Sequence, residues 1–336
     1  MRDALTPAAR RAIDAALEAT VVLSFSRVGY EVRRRTDRWT PLGELDGRGR
    51  TVVVTGANSG LGLAAAKALA RSGAHVVAVV RSEEKGRATL AEVEATSTAE
   101  VAATYEVADL ADLASVRRLA DRLAERSRID ALIHNAGAMF PERALTVDGL
   151  ERTYQVHVAA PFLLTSLLLA RLEDSAPSRV ITVTSGGMYA ERLDADRVDS
   201  PDRYSPTLAY ARAKRAQVAL TGEWARRAGH LGITFDVVHP GWADTPGVVA
   251  SLPGFHRLTS PILRDPVEGA DSVVWLALGD LCERGDGRLW HDRRPRGAHR
   301  LPWTRTPPTE PARLWRRLVS DVGFDPGSEA GLALDP

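Results

Sequence analysis

The sequence predicts an α/β fold built on a doubly wound parallel sheet of about seven strands, and two observations support this class. Short apolar runs rich in β-branched residues alternate with longer helix-forming segments from residue 51 to about residue 291, the pattern of repeated β-α-β units. The runs also lack the polar alternation of half-exposed strands, so each strand should be buried on both faces. The predicted strands cover residues 51–54, 75–80, 101–107, 131–134, 180–184 and 234–238, with a seventh near 288–291.

Helix-forming segments lie between these strands. Right-handed crossovers through such helices place consecutive strands in one parallel sheet that is covered on both faces. No internal repeat or low-complexity linker divides residues 50–292, so we expect a single domain over residues 47–292. The predicted helices cover residues 61–71, 113–126, 150–172, 209–227 and 267–278.

Two further segments flank this domain. Residues 1–46 form a helical N-terminal extension, and residues 293–336 form a C-terminal tail rich in Pro and Arg. The tail contains one helix-forming stretch at 311–319 and is expected to wrap the outside of the domain.

The N-terminal extension has an apolar centre between basic ends, and residues 8–30 can form a helix. A transmembrane segment is excluded because Asp14, Glu18 and Arg27 interrupt an apolar run that is already too short. A secretory signal also fits poorly, because no small-residue cleavage site follows a clean apolar region. Two alternatives remain: a helix packed on the domain, or an amphipathic helix in peripheral contact with a membrane surface. Most amphipathic helices bury their apolar stripe in a core, which favours the first alternative.

Charge and cysteine content exclude several classes of protein. The chain has 44 basic and 43 acidic residues, so bulk electrostatics gives no indication of nucleic-acid binding. A single cysteine, Cys282, excludes an internal disulfide and a multi-thiolate metal site. We therefore expect no bound metal, a reducing compartment and a cytoplasmic location.

A glycine-rich turn joins the first strand to its helix, with the sequence Thr55-Gly-Ala-Asn-Ser-Gly-Leu-Gly62. Glycines let the backbone approach a pyrophosphate closely, and the helix N-terminus offers free N–H groups and partial positive charge. A plain connection could also be glycine-rich, but the flanking strand and helix favour the dinucleotide cradle of a Rossmann-type sheet. The residues predicted to contact the cofactor here are Thr55, Gly56, Asn58, Ser59, Gly60, Leu61 and Gly62.

The end of the second strand indicates which dinucleotide is bound. An acidic side chain at this point would bind a ribose 2′-hydroxyl and repel a 2′-phosphate, whereas the sequence has Arg81. Because a guanidinium group suits a phosphate, we expect NADP(H) as the cofactor. The alternative is an arginine that is simply solvated.

Three later loops follow predicted strands, at the edge where open α/β sheets bind ligands. Each loop alone could be an ordinary turn, but their order along the chain supports a cofactor site. They are Asp109-Leu110, Asn135-Ala136-Gly137, and Pro240-Gly241 with Thr245.

Ser185, Tyr210 and Lys214 carry the acid–base chemistry that the sequence predicts. Tyr210 and Lys214 are four residues apart and share one face of a helix. A lysine beside a phenol stabilises the phenolate and lowers the tyrosine pKa, and Ser185 could hold a carbonyl oxygen for proton donation. A chance surface pair is the alternative, although only three of the 44 basic residues are lysines and one occupies this position.

These motifs together resemble the short-chain dehydrogenase/reductase family over residues 51 to about 291. The resemblance implies that Ser185, Tyr210 and Lys214 are the catalytic set and that Pro240, Gly241 and Thr245 close over the nicotinamide. Tyr210 follows Ser185 by 25 residues, which is similar to the retinol-dehydrogenase-like branch. The family also implies a homodimer paired through helices 150–172 and 209–227.

One residue departs from the family pattern. His157 stands where the resemblance implies a catalytic Asn that holds a water molecule linking the active-site lysine to solvent. An imidazole can also bind water and can carry a proton near neutral pH, so His157 is a candidate member of a modified relay. The alternative is an impaired proton relay.

The expected function is an NADP(H)-dependent oxidoreductase that acts on a hydrophobic carbonyl or alcohol. The largely apolar stretch after Gly241 is expected to bind this small-molecule substrate through Trp242, Val248, Leu252 and Phe255. The alternative from another class is a non-catalytic NADP-binding sensor or interaction protein.

Overall fold

A computed structural model describes residues 5–199, 203–279, 287–329 and 334, and it confirms the predicted fold class. Its centre is one eight-stranded sheet. Cys282 lies outside the described residues. The strands are β1 Thr51–Thr55, β2 His75–Val80, β3 Thr104–Val107, β4 Ala131–His134, β5 Ser178–Val183, β6 Ile233–Val238, β7 Leu289–His291 and β8 Arg294–Arg296.

The strand order across the sheet is β3-β2-β1-β4-β5-β6-β7-β8. The chain runs outward from β1 to β3, returns to β4 on the other side of β1, and continues to β7, with all of these strands parallel. In doubly wound sheets the crevice between the two strands where the order reverses receives the ligand. Here that crevice lies between β1 and β4.

The sheet continues beyond the expected boundary at residue 292. Asp292 and Arg293 both have a φ of 53°, and they form a two-residue turn that pairs β8 antiparallel with β7. Positive φ at both positions fits a tight hairpin turn, for which Asn-Gly is the usual sequence signal. That signal is missing here, so β8 was not predicted.

Fifteen α-helices are present in the described parts of the chain. Four of them, α5, α11, α12 and α15, have no counterpart among the helical segments named from the sequence, and shorter helices divide several of those segments. The helices are α1 Pro7–Glu18, α2 Val21–Phe25, α3 Arg27–Thr36, α4 Gly60–Arg71, α5 Glu83–Glu94, α6 Leu113–Ala124, α7 Arg152–Tyr154, α8 Ala160–Leu167, α9 Leu169–Asp174, α10 Pro206–Ala228, α11 Pro246–Ser251, α12 Pro253–Thr259, α13 Pro266–Leu278, α14 Glu310–Val322 and α15 Pro326–Glu329.

Helices cover both faces of the sheet. Successive residues of β1 point to opposite faces, so Val52 and Val54 pack with α4 and α13, while Val53 packs on the side of α6, α8 and α10. This alternation explains why the strands read as continuous apolar runs, since both layers of the core draw on each strand.

The helix expected over residues 150–172 is interrupted. One turn of π-helix, Gln155–Ala159, separates α7 from α8. Pro161 has no N–H to donate to the carbonyl of His157 four residues earlier, and its ring crowds that carbonyl. The Nε2 of Gln217 donates to the His157 oxygen instead, at 2.9 Å. The side chain of another helix therefore compensates for the proline.

The N-terminal extension forms three helices rather than one and packs on the domain. Phe25 of α2 is buried, and its carbonyl oxygen accepts a hydrogen bond of 2.7 Å from the N–H of Trp242. Four apolar side chains of α2 and α3 remain exposed to solvent: Val21, Val22, Leu23 and Val28. Across the described ranges, no helix has both the length and the apolar character needed to cross a membrane.

The C-terminal tail does more than wrap the outside. Leu314, Trp315 and Leu318 of α14 are buried in the same core layer as α8 and α10. The Trp315 ring lies 4.6 Å from Trp224 of α10 and 5.0 Å from Phe162 of α8, measured between centroids. The tail helix is therefore part of the domain core.

A buried ion-pair network ties these segments together. Asp292 accepts from Arg33 of α3 at 2.6 Å and from Arg264 at 2.6 Å. Burial opposes the charge on Asp292, but Arg264 and neighbouring positive groups hold its pKa well below its usual range. Asp14 of α1 accepts from Arg33 at 2.7 Å and from Arg296 of β8 at 2.7 Å.

We predict that Asp14→Asn destabilises the protein in a pH-dependent way. Burial raises the Asp14 pKa, but Arg296 and Arg33 outweigh it and lower the value from 3.8 to about 2. The contribution of the carboxylate is therefore complete above about pH 4 and is lost as the pH falls towards 2. Urea denaturation should show that the variant loses about 2 kcal/mol of unfolding free energy at pH 7 and much less at pH 2.5.

Asp46→Asn is the matched control, because Asp46 pairs with Arg48 on the exposed surface. Its effect should be small at both pH values. An equal loss for Asp14→Asn at pH 7 and pH 2.5 would contradict the linkage.

Candidate active site

A cleft of about 530 Å³ lies at the carboxyl ends of the central strands. The structure brings every predicted cofactor residue to its lining, together with Ser185 and two of the four predicted substrate residues. These residues are Thr55, Gly56, Asn58, Ser59, Gly60, Leu61, Gly62, Arg81, Asp109, Leu110, Asn135, Ala136, Gly137, Ser185, Tyr210, Lys214, Pro240, Gly241, Thr245, Val248 and Leu252.

The glycine turn is fixed to the neighbouring loop by hydrogen bonds. The Thr55 hydroxyl oxygen accepts from the backbone N–H groups of Asn135 and Ala136 at 3.0 and 3.1 Å. The Asn135 side-chain amide donates to the Thr55 carbonyl oxygen at 3.0 Å. The two loops that flank the crevice between β1 and β4 therefore form one rigid unit.

Close packing explains two of the glycines. A Cβ on Gly62 would lie 2.3 Å from the carbonyl oxygen of Gly56, so no larger residue fits there. Gly56 has a φ of 68°, and a Cβ on it would lie 2.8 Å from the Cα of Ala136. These contacts bring the start of α4 directly against the turn.

The first turn of α4 fits a pyrophosphate. Within the described structure, the side chain of Ser59 at the helix N-cap makes no capping hydrogen bond. The N–H groups of the first helical turn have no intrahelical acceptor and are positioned to bind an anion in the cleft. Arg81, exposed at the end of β2, places a guanidinium group on the same cleft.

Tyr210 and Lys214 lie on α10 and face the cleft, as their spacing predicts. Lys214 is 3% exposed, and its Nζ donates to the Val183 carbonyl oxygen at 2.8 Å and lies 5.3 Å from the centroid of the Tyr210 ring. Burial disfavours the charged amine and lowers the Lys214 pKa to about 7. Burial raises the pKa of Tyr210, and a hydrogen bond from Ser185 opposes that shift.

His157 is fully buried behind the cleft and does not line it. Its ring is 5.3 Å from the Tyr210 ring, and its Nε2 lies 2.9 Å from the carbonyl oxygen of Ala138. Burial, with a smaller contribution from the charge of Lys214, lowers the His157 pKa to about 3. The imidazole is therefore neutral near pH 7 and is not itself the proton carrier that the sequence suggested.

A second, very small cavity of about 20 Å³ lies beneath His157. His157 Nδ1 and Gln217 Oε1 are buried atoms at this cavity, and neither has a hydrogen-bond partner among the described residues. Both atoms are acceptors when Nε2 carries the imidazole proton. A cavity of this volume has room for about one water molecule that could donate to both.

Two predicted substrate residues, Trp242 and Phe255, lie outside the cleft. The Trp242 ring packs 6.1 Å from Phe25 of α2 and 5.1 Å from Phe255. Trp242 anchors the N-terminal extension through Phe25, and Phe255 packs on Trp242. The contact between Phe25 and Trp242 spans more than 200 residues, so the local pattern does not reveal it.

Other residues of the cleft were missed by the sequence reasoning. Ala138, Met139 and Phe140 line it directly after the Asn-Ala-Gly turn, and their position in the chain was a usable signal. Arg152 and Val156 line it from the start of the interrupted helix, and no motif marks them.

The sequence profile of the family described as short chain dehydrogenase matches residues 50–253. Together with the glycine cradle and the Ser-Tyr-Lys set in one cleft, this match identifies the class of protein. The chain belongs to the short-chain dehydrogenase/reductase family of NAD(P)-dependent oxidoreductases.

Similar proteins lie in the retinol-dehydrogenase-like branch. Dehydrogenase/reductase SDR family member 12 from Bos taurus is 38% identical over 265 residues, which is 78% of this chain and 82% of the relative. DnrU from Streptomyces sp. (strain C5), provisionally named a daunorubicin C-13 ketoreductase, is 42% identical over 261 residues, or 76% and 86% of the two chains. Retinol dehydrogenase 12 from Bos taurus is 36% identical over 247 residues, or 73% and 78%.

Solved structures share the fold of this chain. An uncharacterised protein from Mycobacterium paratuberculosis superposes with a TM-score of 0.68 at 32% identity, covering 85% of this chain and 98% of that one. A provisionally named NAD(P)-dependent gluconate 5-dehydrogenase from Beutenbergia cavernae contains NADP at low occupancy. It superposes with a TM-score of 0.58 at 25% identity, covering 75% of this chain and 97% of that one.

We predict that Lys214 titrates near pH 7 in the cofactor-free protein, because its burial disfavours the ammonium form. The chain has only three lysines, so NMR of protein labelled with ¹³Cε-lysine gives three resolvable signals. One signal should shift with a midpoint of about 7 and be absent in Lys214→Met. A spectrum in which no lysine signal moves between pH 6 and pH 8 would contradict the burial argument.

Proposed function

We propose that the protein is an NADP(H)-dependent carbonyl reductase or alcohol dehydrogenase that acts on a hydrophobic substrate. The observation that carries this proposal is the convergence of Ser185, Tyr210 and Lys214 on the cleft that the glycine turn also lines. A nucleotide-binding protein without catalysis needs the cradle but has no need of a buried lysine beside a tyrosine.

Each catalytic residue has a distinct role in the reduction direction. NADPH, when bound, supplies the hydride that the substrate carbonyl carbon receives. Ser185 donates a hydrogen bond to the carbonyl oxygen, and Tyr210 donates its proton to the same oxygen as negative charge develops there. In oxidation Tyr210 instead accepts the proton of the alcohol.

Lys214 adjusts the acidity of Tyr210. Burial raises the tyrosine pKa, which makes the phenol a weak acid at working pH. A positive charge on Lys214, 5.3 Å from the ring centroid, stabilises the phenolate and counters that effect. Because the Lys214 pKa is about 7 without cofactor, Lys214 stabilises the phenolate only at a pH where its amine is protonated.

We assign His157 to the relay as a neutral hydrogen-bonding residue. Its Nε2 is held by Ala138, which leaves Nδ1 free to bind a water molecule together with Gln217. The rival function is a sensor that binds cofactor without catalysis. In that alternative, the imidazole in place of the asparagine of the family pattern interrupts the relay.

The proposed substrate class rests on the rim of the cleft. Val248 and Leu252 line one side, and Met139 and Phe140 line the side that follows β4. Apolar walls with a few convergent polar groups are typical of sites for hydrophobic small molecules. The names of the retinol dehydrogenases and of the daunorubicin ketoreductase relative fit an alcohol or ketone on a hydrophobic skeleton.

Location and assembly stay predictions. The cytoplasmic location rests on the single cysteine, Cys282, and the homodimer rests on the family resemblance.

Tyr210→Phe tests the proposed function. Removal of the phenolic proton donor should lower kcat for ketone reduction by about 10²- to 10⁴-fold and leave NADPH binding, followed by nicotinamide fluorescence, unchanged. Tyr105→Phe is the matched control, because its hydroxyl contacts Glu83 on the surface between β3 and α5. Full turnover by Tyr210→Phe, or wild-type binding without turnover across a broad carbonyl panel, would favour the sensor.

Arg81→Ala tests the cofactor preference. Loss of the guanidinium should raise the KM for NADPH by about 10- to 100-fold, because charge-assisted hydrogen bonds contribute about 1.5–3 kcal/mol, and should leave the KM for NADH nearly unchanged. Arg87→Ala removes an exposed arginine of α5 that pairs with Glu83 and serves as the control. A wild-type enzyme that prefers NADH would exclude a 2′-phosphate site at Arg81.

A further inference from the structure

Four charged side chains of the described residues line the cleft: Arg81, Asp109, Arg152 and Lys214. Arg81 is assigned to the ribose phosphate, and Lys214 acts on Tyr210. The Asp109 carboxylate accepts from the backbone N–H of Ala111 at 2.9 Å and so caps its own turn. Arg152 alone has no part in cofactor binding or proton transfer.

The position of Arg152 is fixed by an aromatic ring. Its guanidinium carbon lies 4.1 Å from the centroid of the Phe140 ring, well within cation–π distance. Phe140 is held in turn by Tyr204, whose hydroxyl donates to the Phe140 carbonyl oxygen at 2.8 Å. The charge is therefore held in place at the wall of the cleft.

Among the described residues, no carboxylate neutralises the charge of Arg152. The neighbouring carboxylate of Glu151 accepts from the backbone N–H groups of Thr153 and Tyr154, each at 2.9 Å, and is used to cap α7. Arg152 makes no ion pair with any described residue, and its Nε is shielded from solvent without a hydrogen-bond partner. A guanidinium that is partly withdrawn from water gains most from an anionic partner.

The location of Arg152 separates it from the phosphates of the cofactor. The glycine turn follows β1 and Arg81 follows β2, whereas Phe140 and Arg152 both follow β4. Strand β4 lies between β1 and β5, and Ser185 follows β5. Arg152 is thus on the side of the crevice where the catalytic residues and the apolar rim lie.

We propose that Arg152 binds a carboxylate of the substrate, so that the substrate is a hydrophobic keto acid or hydroxy acid rather than a neutral ketone. The planar guanidinium can donate two parallel hydrogen bonds to a carboxylate while its face stays on Phe140. This inference rests on the proposed function, since it names the substrate class of the same site.

Equilibrium binding tests the proposal without requiring turnover. Calorimetry with the full-length protein loaded with NADP⁺, which cannot donate a hydride to a ketone, compares three phenyl keto acids with their methyl esters: 4-oxo-4-phenylbutanoate, 6-oxo-6-phenylhexanoate and 8-oxo-8-phenyloctanoate. For the best chain length, the acid should bind about 10- to 100-fold more tightly than its ester, as expected for a charge-assisted hydrogen bond. The chain length of the acid that binds best indicates the distance between the site of the substrate carbonyl and Arg152.

Arg152→Met should remove the preference for the acid and leave ester and NADPH binding unchanged. Arg152→Lys should keep part of the preference, because it keeps the charge and loses the planar pair of donors. Arg143→Met is the matched control: it removes one exposed arginine from the segment between β4 and α7 and should change nothing.

Three results would overturn the proposal: equal binding of acids and esters by the wild type, an undiminished preference in Arg152→Met, or an equal loss of NADPH affinity in Arg152→Met. If Arg152→Met does not fold, the wild-type acid-to-ester comparison and Arg152→Lys decide the question. A failure of the proposed function alone gives a different result. The acids would bind more tightly than the esters, but protein supplied with NADPH would not reduce them.

Discussion

The buried carboxylate of Asp292 is the interaction on which the organisation of the site depends. It neutralises Arg264, whose guanidinium packs against Gly241 so closely that a Cβ there would lie 2.4 Å from Arg264 Cζ. Arg264 also binds the loop through its own backbone, donating to the Trp242 carbonyl oxygen at 2.8 Å. Loss of the carboxylate would leave the buried Arg264 without an anionic partner among the described residues, a defect that typically costs about 3–5 kcal/mol. The loop assigned to the nicotinamide therefore takes its position from a carboxylate that follows it by about 50 residues in the sequence.

The same carboxylate makes the N-terminal extension part of the active-site framework. Arg33 of α3 binds Asp292, and Arg264 donates to the carbonyl oxygen of Ser24 in α2 at 3.1 Å. Phe25 fills the space behind the loop and packs 4.4 Å from the His239 ring. The predicted boundary at residue 46 separates the N-terminal extension from the alternating strands and helices of the domain. In the structure, the buried ion-pair network crosses this boundary. Deletion of the extension would expose this buried network and disturb the cofactor loop. Such a deletion therefore tests more than contact of the extension with a membrane surface.

Local patterns in the sequence were sufficient for the seven parallel strands and for most of the helices between them. They also brought the predicted cofactor residues to one cleft, because strand ends and glycine turns place those residues by chain direction alone. The features that were missed depend on contacts between distant parts of the chain. The π-helical turn at His157 requires Gln217 from another helix, and the neutral state of His157 follows from burial that no motif encodes. Trp242 was predicted to contact substrate because its partner, Phe25, lies far upstream in the sequence, and Phe255 packs on Trp242 rather than in the cleft. Arg152 belongs to no motif, and only the fold places its charge in the cleft without an ion-pair partner among the described residues.

The tail helix α14 has a consequence for assembly. Trp315 occupies the groove between α8 and α10 and makes edge-to-face contacts with aromatic rings from both helices. Arg227 of α10 covers the outer face of the same indole, with its guanidinium carbon 4.7 Å from the ring centroid. Those two helices lie in the segments through which the family resemblance pairs two subunits. In this chain the groove is already filled in cis, so a second copy could dock there only by displacing a helix that belongs to the hydrophobic core.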